Sequence, residues 1–351
     1  MTPNPRADEQ EKSGSRQFTR GLGLFDSTLI VVGIMVGSGI FIVPAEMARL
    51  IASPGWLLVA WAVTGVLTVT AGLTYGELAA IMPEAGGMYV YLREAFSPIV
   101  GFLYGWTLWT VIQTGTIAAV AIAFARFAGV LFPSIAENHY LMAPQHVFGN
   151  YSLSLSTTQL VAIAIIVALT FANTLGLNYG RILQNVFTVA KIGALVALVV
   201  LGCTIGIQHA ALAENFHHFW AVRHPIPFAK GMDASTGLGL FLAVCIAQSG
   251  SLFSADAWHD ITFVAAEVKQ PSRNLPLALG IGTSSVIALY LLANLAYLLT
   301  LPLTAIQHAP ADRVATAALQ SAPHEMRRRR DGRLADAGSR SCTWRVPPRQ
   351  Y

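Results

Sequence analysis

The stretch VVGIMVGSGIFIVP, Val31 to Pro44, places helix breakers inside an apolar run. A lipid-spanning helix is expected here, because the region is among the most apolar of the chain. Yet the stretch contains Gly37 and Gly39, and each glycine weakens a helix by about 1 kcal/mol relative to alanine. A span in lipid must satisfy its backbone hydrogen bonds internally, so these residues need a structural or functional reason.

The composition is that of a polytopic membrane protein. Of the 351 residues, 54% are hydrophobic and 11% are charged, whereas soluble domains contain about 25% charged residues. The first apolar run follows a polar, charged segment, so no secretory signal peptide is expected. Much of the net charge of +4 lies near the end of the chain, and no basic and aromatic pattern before it indicates nucleic-acid binding.

No cofactor, metal site or enzymatic activity is expected. Cys203 and Cys245 lie inside apolar runs and Cys342 lies in the basic end, which does not indicate a disulfide framework or a metal site. The sequence contains no paired carboxylates, nucleophile elbow or phosphate loop.

Seven apolar runs are long enough to cross a bilayer, which takes about 20 residues. They are Ser27–Ala48, Trp56–Met82, Pro98–Ala125, Thr157–Leu177, Gln184–Ile207, Thr236–Trp258 and Leu277–Leu301. Lys and Arg are more frequent in the flanks that share a side of the membrane with the N-terminus than in the flanks on the other side. This bias predicts a cytoplasmic N-terminus. We therefore expect an all-α polytopic protein of the plasma membrane.

Three connections between these runs are long. Phe127–Ser156 and Gln208–Ser235 face outside in this orientation, and His259–Pro276 faces the cytoplasm. The charges of Glu267, Lys269 and Arg273 in the third predict an amphipathic turn or a short helix at the interface.

A break at Gly37–Gly39 would free backbone N–H groups at the start of the following half-helix. These groups and the helix dipole form a site for an anion such as a carboxylate, and secondary transporters use broken helices in this way. The glycines would let the backbone approach the ligand, and Ser38 adds a hydroxyl. An alternative remains open, since Gly33 and Gly37 have the spacing by which two membrane helices pack closely.

The sixth run contains a second interruption, QSGSLFSADAW, from Gln248 to Trp258. A carboxylate at this depth is costly unless it is paired or hydrated, so Asp256 is a candidate functional residue. Alternatively, the span ends early and Asp256 faces cytoplasmic water. Interrupted spans at positions one and six fit a fold of two five-helix repeats.

Lys191, in QNVFTVAKIGAL, is the other charge inside an apolar run. It lies about seven residues, or about 10 Å, into the fifth span. Its ammonium either occupies a buried polar site, where it could titrate, or reaches back to the cytoplasmic interface.

Three stretches resemble the amino acid–polyamine–organocation permeases, most closely their L-type amino-acid transporter-like branch. They read GIMVGSGIF, YGELAAIMPEAGGMYVYLREAFSP and FSADAWHDITFVAAEVKQPSRNLPLAL, and the resemblance runs from about Gly21 to Ala322. It implies an inverted repeat of five plus five helices, usually with twelve spans. This chain supplies the first repeat and the first two helices of the second, so an incomplete transporter fold is expected.

The resemblance also implies a substrate site. In the family the glycine motif of the first span holds the substrate carboxylate, and the unwound part of the sixth span meets the substrate ammonium with its carbonyl groups. The matching residues are Gly37, Ser38, Gly39 and Ile40 in the first span, and Phe253, Ser254, Ala255 and Asp256 in the sixth.

Three further residues take an expected role from the resemblance. Phe253 resembles an aromatic gate over the substrate. Ala257 stands where many members have glycine, which adds a methyl group near the pocket. Lys191 stands where sodium-coupled relatives bind an ion, so its ammonium would replace that cation and tie the fifth span to the first.

The predictions divide the chain into three parts. Residues 1–26 form a cytoplasmic tail, residues 27–322 form the permease domain, and residues 323–351 form a disordered tail. The third part is rich in arginine and has no apolar periodicity. Two explanations stay open: a natural disordered tail, or a non-native end of a truncated permease.

The sequence therefore predicts a secondary transporter of L-amino acids, expected to be neutral ones, that works by alternating access. Sodium-independent exchange and proton symport are the expected modes. The expected partners are the amino-acid substrate, the lipid bilayer and protons; the sequence does not specify an accessory subunit. The alternatives are a non-transporting truncated membrane protein and, because of Asp256, a carrier of cationic amino acids or polyamines.

Overall fold

The computed structural model describes residues 20–148, 151–174 and 177–321. Helices dominate this part of the chain. The first eight are α1 (Leu24–Met35), α2 (Gly39–Ile51), α3 (Pro54–Ile81), α4 (Met88–Ala95), α5 (Pro98–Thr107), α6 (Thr114–Leu131), α7 (Thr157–Thr174) and α8 (Leu177–Thr204). The others are α9 (His209–His217), α10 (Gly237–Ser254), α11 (Pro271–Thr300), α12 (Leu303–Gln307) and α13 (residues 314–321).

Shorter elements connect these helices. A π-helical segment joins α5 to α6, one 3₁₀ helix precedes α11 and another follows α12. They are Leu108–Gln113, Trp258–Glu267 and Pro310–Asp312. Most of the predicted N-terminal tail and the whole predicted C-terminal tail lie outside the described residues.

All seven predicted runs contain helix, and most of them have the length of a membrane span. Among the described residues, five helical segments are long and apolar enough by themselves: Pro54–Ile81, Pro98–Leu131, Val186–Thr204, Gly237–Glu267 and Pro271–Thr300. α1 and α2 meet the same criterion only together, as one broken span. The predicted fourth span is α7, whose apolar part, Thr157–Ala172, is shorter. The prediction of an α-helical membrane protein is confirmed.

The predicted interruption of the first span is present. α1 ends at Met35 and α2 begins at Gly39, so the backbone from Val36 to Ser38 is not helical. Pro44 is not part of the break, because it lies inside α2. The first span is therefore two half-helices rather than one helix with a glycine packing face.

Two of the long connections contain regular structure, and only one of them was predicted to. Phe127–Ser156 contains an antiparallel hairpin of β1 (Tyr140–Phe148) and β2 (Tyr151–Ser156). The register of the hairpin shifts at three places. The expected short helix after the sixth span is the 3₁₀ helix Trp258–Glu267, which confirms that prediction.

The described chain divides into two compact units. Among the described residues, the first unit comprises 20–35, Thr68–Thr110 and Ala257–Ser284, and the second comprises Val36–Leu67, 111–148, 151–174, 177–256 and 285–321.

Within the first unit, a backbone strap precedes α1. The N–H groups of Gly21 and Leu22 donate to the Glu267 carbonyl at 2.9 and 3.1 Å, and the Lys269 N–H donates to the Leu22 carbonyl at 2.8 Å. These bonds tie the start of the described chain to the end of the 3₁₀ helix.

Within the second unit, α2 packs along α10. The far end of α2 is held by Arg49, which forms an ion pair of 2.7 Å with Asp312 and donates to the Gln307 carbonyl at 3.0 Å. Gln307 in turn donates from Nε2 to the Ala48 carbonyl at 3.0 Å. The second unit thus contains both halves of the predicted substrate site.

Candidate substrate site

The sixth span is interrupted at the predicted place. The Thr236 hydroxyl caps the start of α10 by accepting from the Gly239 N–H at 3.0 Å. The helix ends at Ser254, and regular helical structure resumes only at Trp258. Ala257 has a φ of 66°, a left-handed conformation that breaks the helical path. The prediction of a second interrupted span is confirmed.

The two interruptions adjoin each other in the second unit. A Cβ atom placed on Gly39 would lie 2.9 Å from the Ser254 Cβ and 3.0 Å from the Ser254 Cα, and it would also overlap the Ser254 hydroxyl. Real Cβ atoms do not approach other atoms so closely. Gly39 is therefore required for the start of α2 to reach the end of α10.

The contact between Gly39 and Ser254 brings the N-terminus of α2 next to the C-terminus of α10. The first N–H groups of α2 have no partner within the helix and carry a partial positive charge. Ser38, which precedes them, does not cap them with its side chain. The last carbonyl groups of α10 carry the complementary negative charge. The arrangement places groups suited to a carboxylate beside groups suited to an ammonium.

Tyr290 in α11 connects the two interruptions. Its hydroxyl donates to the Ser254 carbonyl at 3.1 Å and also forms a hydrogen bond with the backbone of Gly37. The side chain is fully buried, with 0% exposure. A single phenol group thus fixes the spacing between the two breaks.

Tyr297, two helical turns further along α11, stabilises α2 at its proline. Pro44 has no N–H, so the Ile40 carbonyl loses the partner that a regular helix would supply. The buried Tyr297 hydroxyl donates to this carbonyl at 3.3 Å. The proline is tolerated near the site because a side chain replaces the missing donor.

A polar cluster fixes α10 against α3 next to the break. The Thr64 Oγ1 lies 2.8 Å from the Gln248 Oε1 and 2.7 Å from the Ser251 Oγ. Gln248 also donates from Nε2 to the Ala60 carbonyl at 2.9 Å. Because these groups are mutually bonded, they hold the last turns of α10 in register at little cost in unsatisfied polar atoms.

Comparison with known proteins identifies the family. The family described as Amino acid permease matches residues 22–326, which include both interruptions and every helix of the second unit that carries the site. The chain belongs to the amino acid permease family. It is therefore a multi-pass membrane protein of the class that the sequence motifs indicated.

Several curated amino acid transporters are similar to this permease chain. The b(0,+)-type amino acid transporter 1 of Mus musculus is 30% identical over 83% of the chain and 54% of the relative. The large neutral amino acids transporter small subunit 2 of Homo sapiens is 29% identical, over 81% of the chain and 48% of the relative. The Asc-type amino acid transporter 1 of Mus musculus is 28% identical, over 79% and 47%. The chain spans about half the length of these relatives.

The predicted site residues at the junction differ in the exposure of their side chains. The side chains of Ile40, Ser254 and Ala255 are buried, so only their backbone groups could contact a ligand if these residues bind one as predicted. Phe253 is 49% exposed, and Asp256 follows the end of α10 with an exposed side chain that has an interaction partner. The roles of Phe253 as a gate and of Asp256 as a ligand group stay predictions.

Lys191 is not brought to the junction by any contact among the described residues of the permease. It lies near the middle of α8 and is half-buried. Within that part of the chain its ammonium has neither a hydrogen bond nor an ion pair. Its predicted place beside the first span is therefore still a prediction.

Sequence reasoning missed Tyr290, Tyr297 and Thr64. A signal was present, because Tyr290, Asn294 and Tyr297 follow a helical spacing of four and three residues in an apolar run, which places them on one face. What this face contacts could not be inferred, since the partners on α2 and α10 lie far away in the sequence.

Proposed function

We propose that the junction of α2 and α10 binds an L-α-amino acid and that the protein carries it across the plasma membrane. One observation carries the proposal: Gly39 meets Ser254, so the positive end of one half-helix lies beside the negative end of another. A zwitterion is the ligand whose charges match this pair. Similarity to proteins named as amino acid transporters supports the same substrate class.

The proposed roles follow from the groups at the junction. The N–H groups of Gly39 and Ile40 and the Ser38 hydroxyl hold the carboxylate, because helix N-termini bind anions. The carbonyl groups of the turn from Phe253 to Ala255 hold the ammonium. Tyr290 does not bind the substrate in this scheme but keeps the two sets of groups at the distance set by its two hydrogen bonds.

Alternating access requires that the substrate bind the two states of the carrier differently. We propose sodium-independent exchange or proton symport, with Lys191 in place of a coupling cation, and neutral side chains as the preferred substrates. The basic residues before the first span favour a cytoplasmic N-terminus. A cysteine placed at Glu84 in a cysteine-free protein should then react with an impermeant maleimide only after permeabilisation; labelling of intact cells would reverse the orientation.

Replacement of Gly39 tests the site directly. Gly39→Ala introduces a Cβ that collides with Ser254 and forces the two helix ends apart. We expect L-[³H]leucine binding to the purified full chain in nanodiscs to weaken by about 10- to 100-fold, the effect of 1–3 kcal/mol of overpacking. Competition by arginine in the same assay distinguishes neutral from cationic preference.

A matched glycine and a compensating change serve as controls. Gly193→Ala in α8 meets no atom within 4 Å and should bind leucine like the unchanged protein. Ser254→Gly removes two of the three atoms that a Cβ on Gly39 would meet, so Gly39→Ala with Ser254→Gly should recover part of the lost affinity. Unchanged binding in Gly39→Ala would refute the site. Absence of saturable leucine uptake in proteoliposomes, with binding retained, would support the non-transporting alternative.

A further inference from the structure

A polar cavity lies in the second unit, away from the α2–α10 junction. Its volume is about 220 Å³. It is bounded by the start of α3, by α9 and the segment after it, and by α12. The lining residues are Pro54, Glu214, Asn215, Arg223, His224, Leu303 and Thr304. We call it the outer cavity, after the side of the membrane predicted for these segments.

Hydrogen bonds fix the floor of the outer cavity. Asn215 is fully buried; its Nδ2 donates to the carbonyls of Leu298 and Leu301 at 2.7 and 2.9 Å, and its Oδ1 accepts from the Leu303 N–H at 2.9 Å. These bonds join α9 to the end of α11 and the start of α12. The floor is therefore pre-formed and has no unsatisfied amide.

The segment after α9, which carries Arg223, is also held in place beside the outer cavity. The backbone N–H of Arg223 donates to the Ala52 carbonyl at 2.8 Å. This bond attaches the segment after α9 to the end of α2. The cavity therefore does not depend on a loosely placed loop for its cationic side.

One cation and one anion border the cavity without neutralising each other. Among the described residues, the Arg223 guanidinium donates only to the Glu214 carbonyl, at 3.3 Å, and the Glu214 carboxylate accepts from the Thr304 hydroxyl at 3.3 Å. No ion pair within 4.0 Å joins the two side chains in that part of the chain. A guanidinium has five N–H donors and a carboxylate has two acceptor oxygens, so both retain capacity for a ligand.

The outer cavity fits a small zwitterion better than a simple anion. Arginine binds carboxylates through two parallel hydrogen bonds, while the Glu214 carboxylate would repel a phosphate or sulfate and attract an ammonium. Pro54 and Leu303 supply apolar walls for a side chain. The volume is below the roughly 300 Å³ of drug-sized sites, as expected for a ligand the size of an amino acid.

We propose that the outer cavity is a second binding site for L-α-amino acids, with Arg223 on the carboxylate and Glu214 on the ammonium. The two sites are about 20 Å apart, because the 13 residues of α2 separate Gly39 from Ala52 at 1.5 Å each. Each can therefore bind its own molecule. The outer site does not require that the α2–α10 junction bind anything.

Saturation binding of L-[³H]leucine to the full chain in nanodiscs tests this proposal. We expect two leucine molecules per chain. Arg223→Gln and Glu214→Gln should each remove one of them by weakening its affinity about 10-fold or more, and Gly39→Ala should remove the other. Lys230→Gln, an exposed cation of the same connection that does not line the cavity, should leave both.

A cavity-filling variant keeps the test valid if the charge variants do not fold. Thr304 is exposed at the rim, so Thr304→Trp should block the outer cavity without disturbing the buried bonds of Asn215. This variant should also bind one leucine molecule fewer per chain. The outer site would be overturned if the protein bound a single leucine molecule per chain that Gly39→Ala abolished and that Arg223→Gln and Thr304→Trp retained. That result would leave the proposed function standing.

The opposite results are equally decisive. A single leucine sensitive to Arg223→Gln and insensitive to Gly39→Ala would support the outer site and refute the proposed junction site. Displacement of the Arg223-sensitive leucine by acetate as effectively as by unlabelled leucine would overturn the zwitterion site, because a simple anion site needs no ammonium.

Discussion

At the scale of single residues, Gly39 and Ala257 are two positions at which the structure favours glycine, and the chain has glycine at only one of them. Gly39 has no room for a side chain, because Ser254 occupies the space that a Cβ would take. Ala257 has a side chain where the backbone favours none, since its φ of 66° lies in the left-handed region. The resemblance marked both positions, and the structure gives each a physical reason: close approach at Gly39 and backbone conformation at Ala257.

Ala257→Gly should stabilise the protein. A left-handed conformation costs an alanine about 1 kcal/mol more than a glycine, so we expect the free energy of unfolding to rise by roughly that amount. Thermal or denaturant unfolding of the protein in detergent measures the change. Ala243→Gly, inside α10, is the matched control and should destabilise by about 1 kcal/mol; equal effects of the two variants would exclude a backbone cause.

At the scale of elements, each interrupted span depends on side chains of α11. Tyr290 bonds both breaks, and Tyr297 replaces the donor that Pro44 lacks. A discontinuous helix in an apolar surrounding leaves backbone groups that must find other partners. The part of α11 that lies in the second unit supplies those partners through Tyr290 and Tyr297.

Tyr297→Phe should destabilise the protein because it leaves the Ile40 carbonyl without its donor. The expected loss is about 1–3 kcal/mol, the cost of an unsatisfied buried acceptor. In a Pro44→Ala background the backbone N–H that the substitution restores can bond the Ile40 carbonyl, so the same change should cost clearly less. A double-mutant cycle of unfolding free energies measures the coupling; additive effects would show that the tyrosine does not compensate for the proline.

At the scale of the whole molecule, most of the described helical residues lie in long apolar segments that the composition already indicated. The chain spans about half the length of its curated relatives, and it still contains both interrupted spans and the residues that join them. Binding can therefore be examined in this chain separately from transport, which involves conversion between two states of the whole carrier.

Lys191→Ala should separate these two properties. Because no described contact connects Lys191 to the junction, we expect leucine affinity to change little. If its ammonium replaces a coupling cation, uptake in proteoliposomes should slow by about 10-fold or more, the loss of one interaction of roughly 1.4 kcal/mol. Lys191→Arg, which keeps the charge, is the control. Sodium-independent uptake at the normal rate in Lys191→Ala would exclude Lys191 from the mechanism.

The sequence by itself determined the fold class, the seven helical runs and the two interruptions. Apolar length and helix-breaking residues act locally, so their consequences can be predicted without knowing the fold. The hairpin of β1 and β2 was not predicted: Tyr151–Ser156 alternates apolar and polar residues, but its partner Tyr140–Phe148 does not and contains Pro144, which argues against a strand.

Only the tertiary structure decided what the interruptions contact. That Gly39 meets Ser254, that Tyr290 bonds both breaks and that Tyr297 serves the Ile40 carbonyl are relations between residues more than 30 positions apart. The outer cavity likewise combines side chains from three separate segments. A local pattern can show that a backbone group needs a partner, but packing across the chain chooses the partner, because any of several helices could supply it.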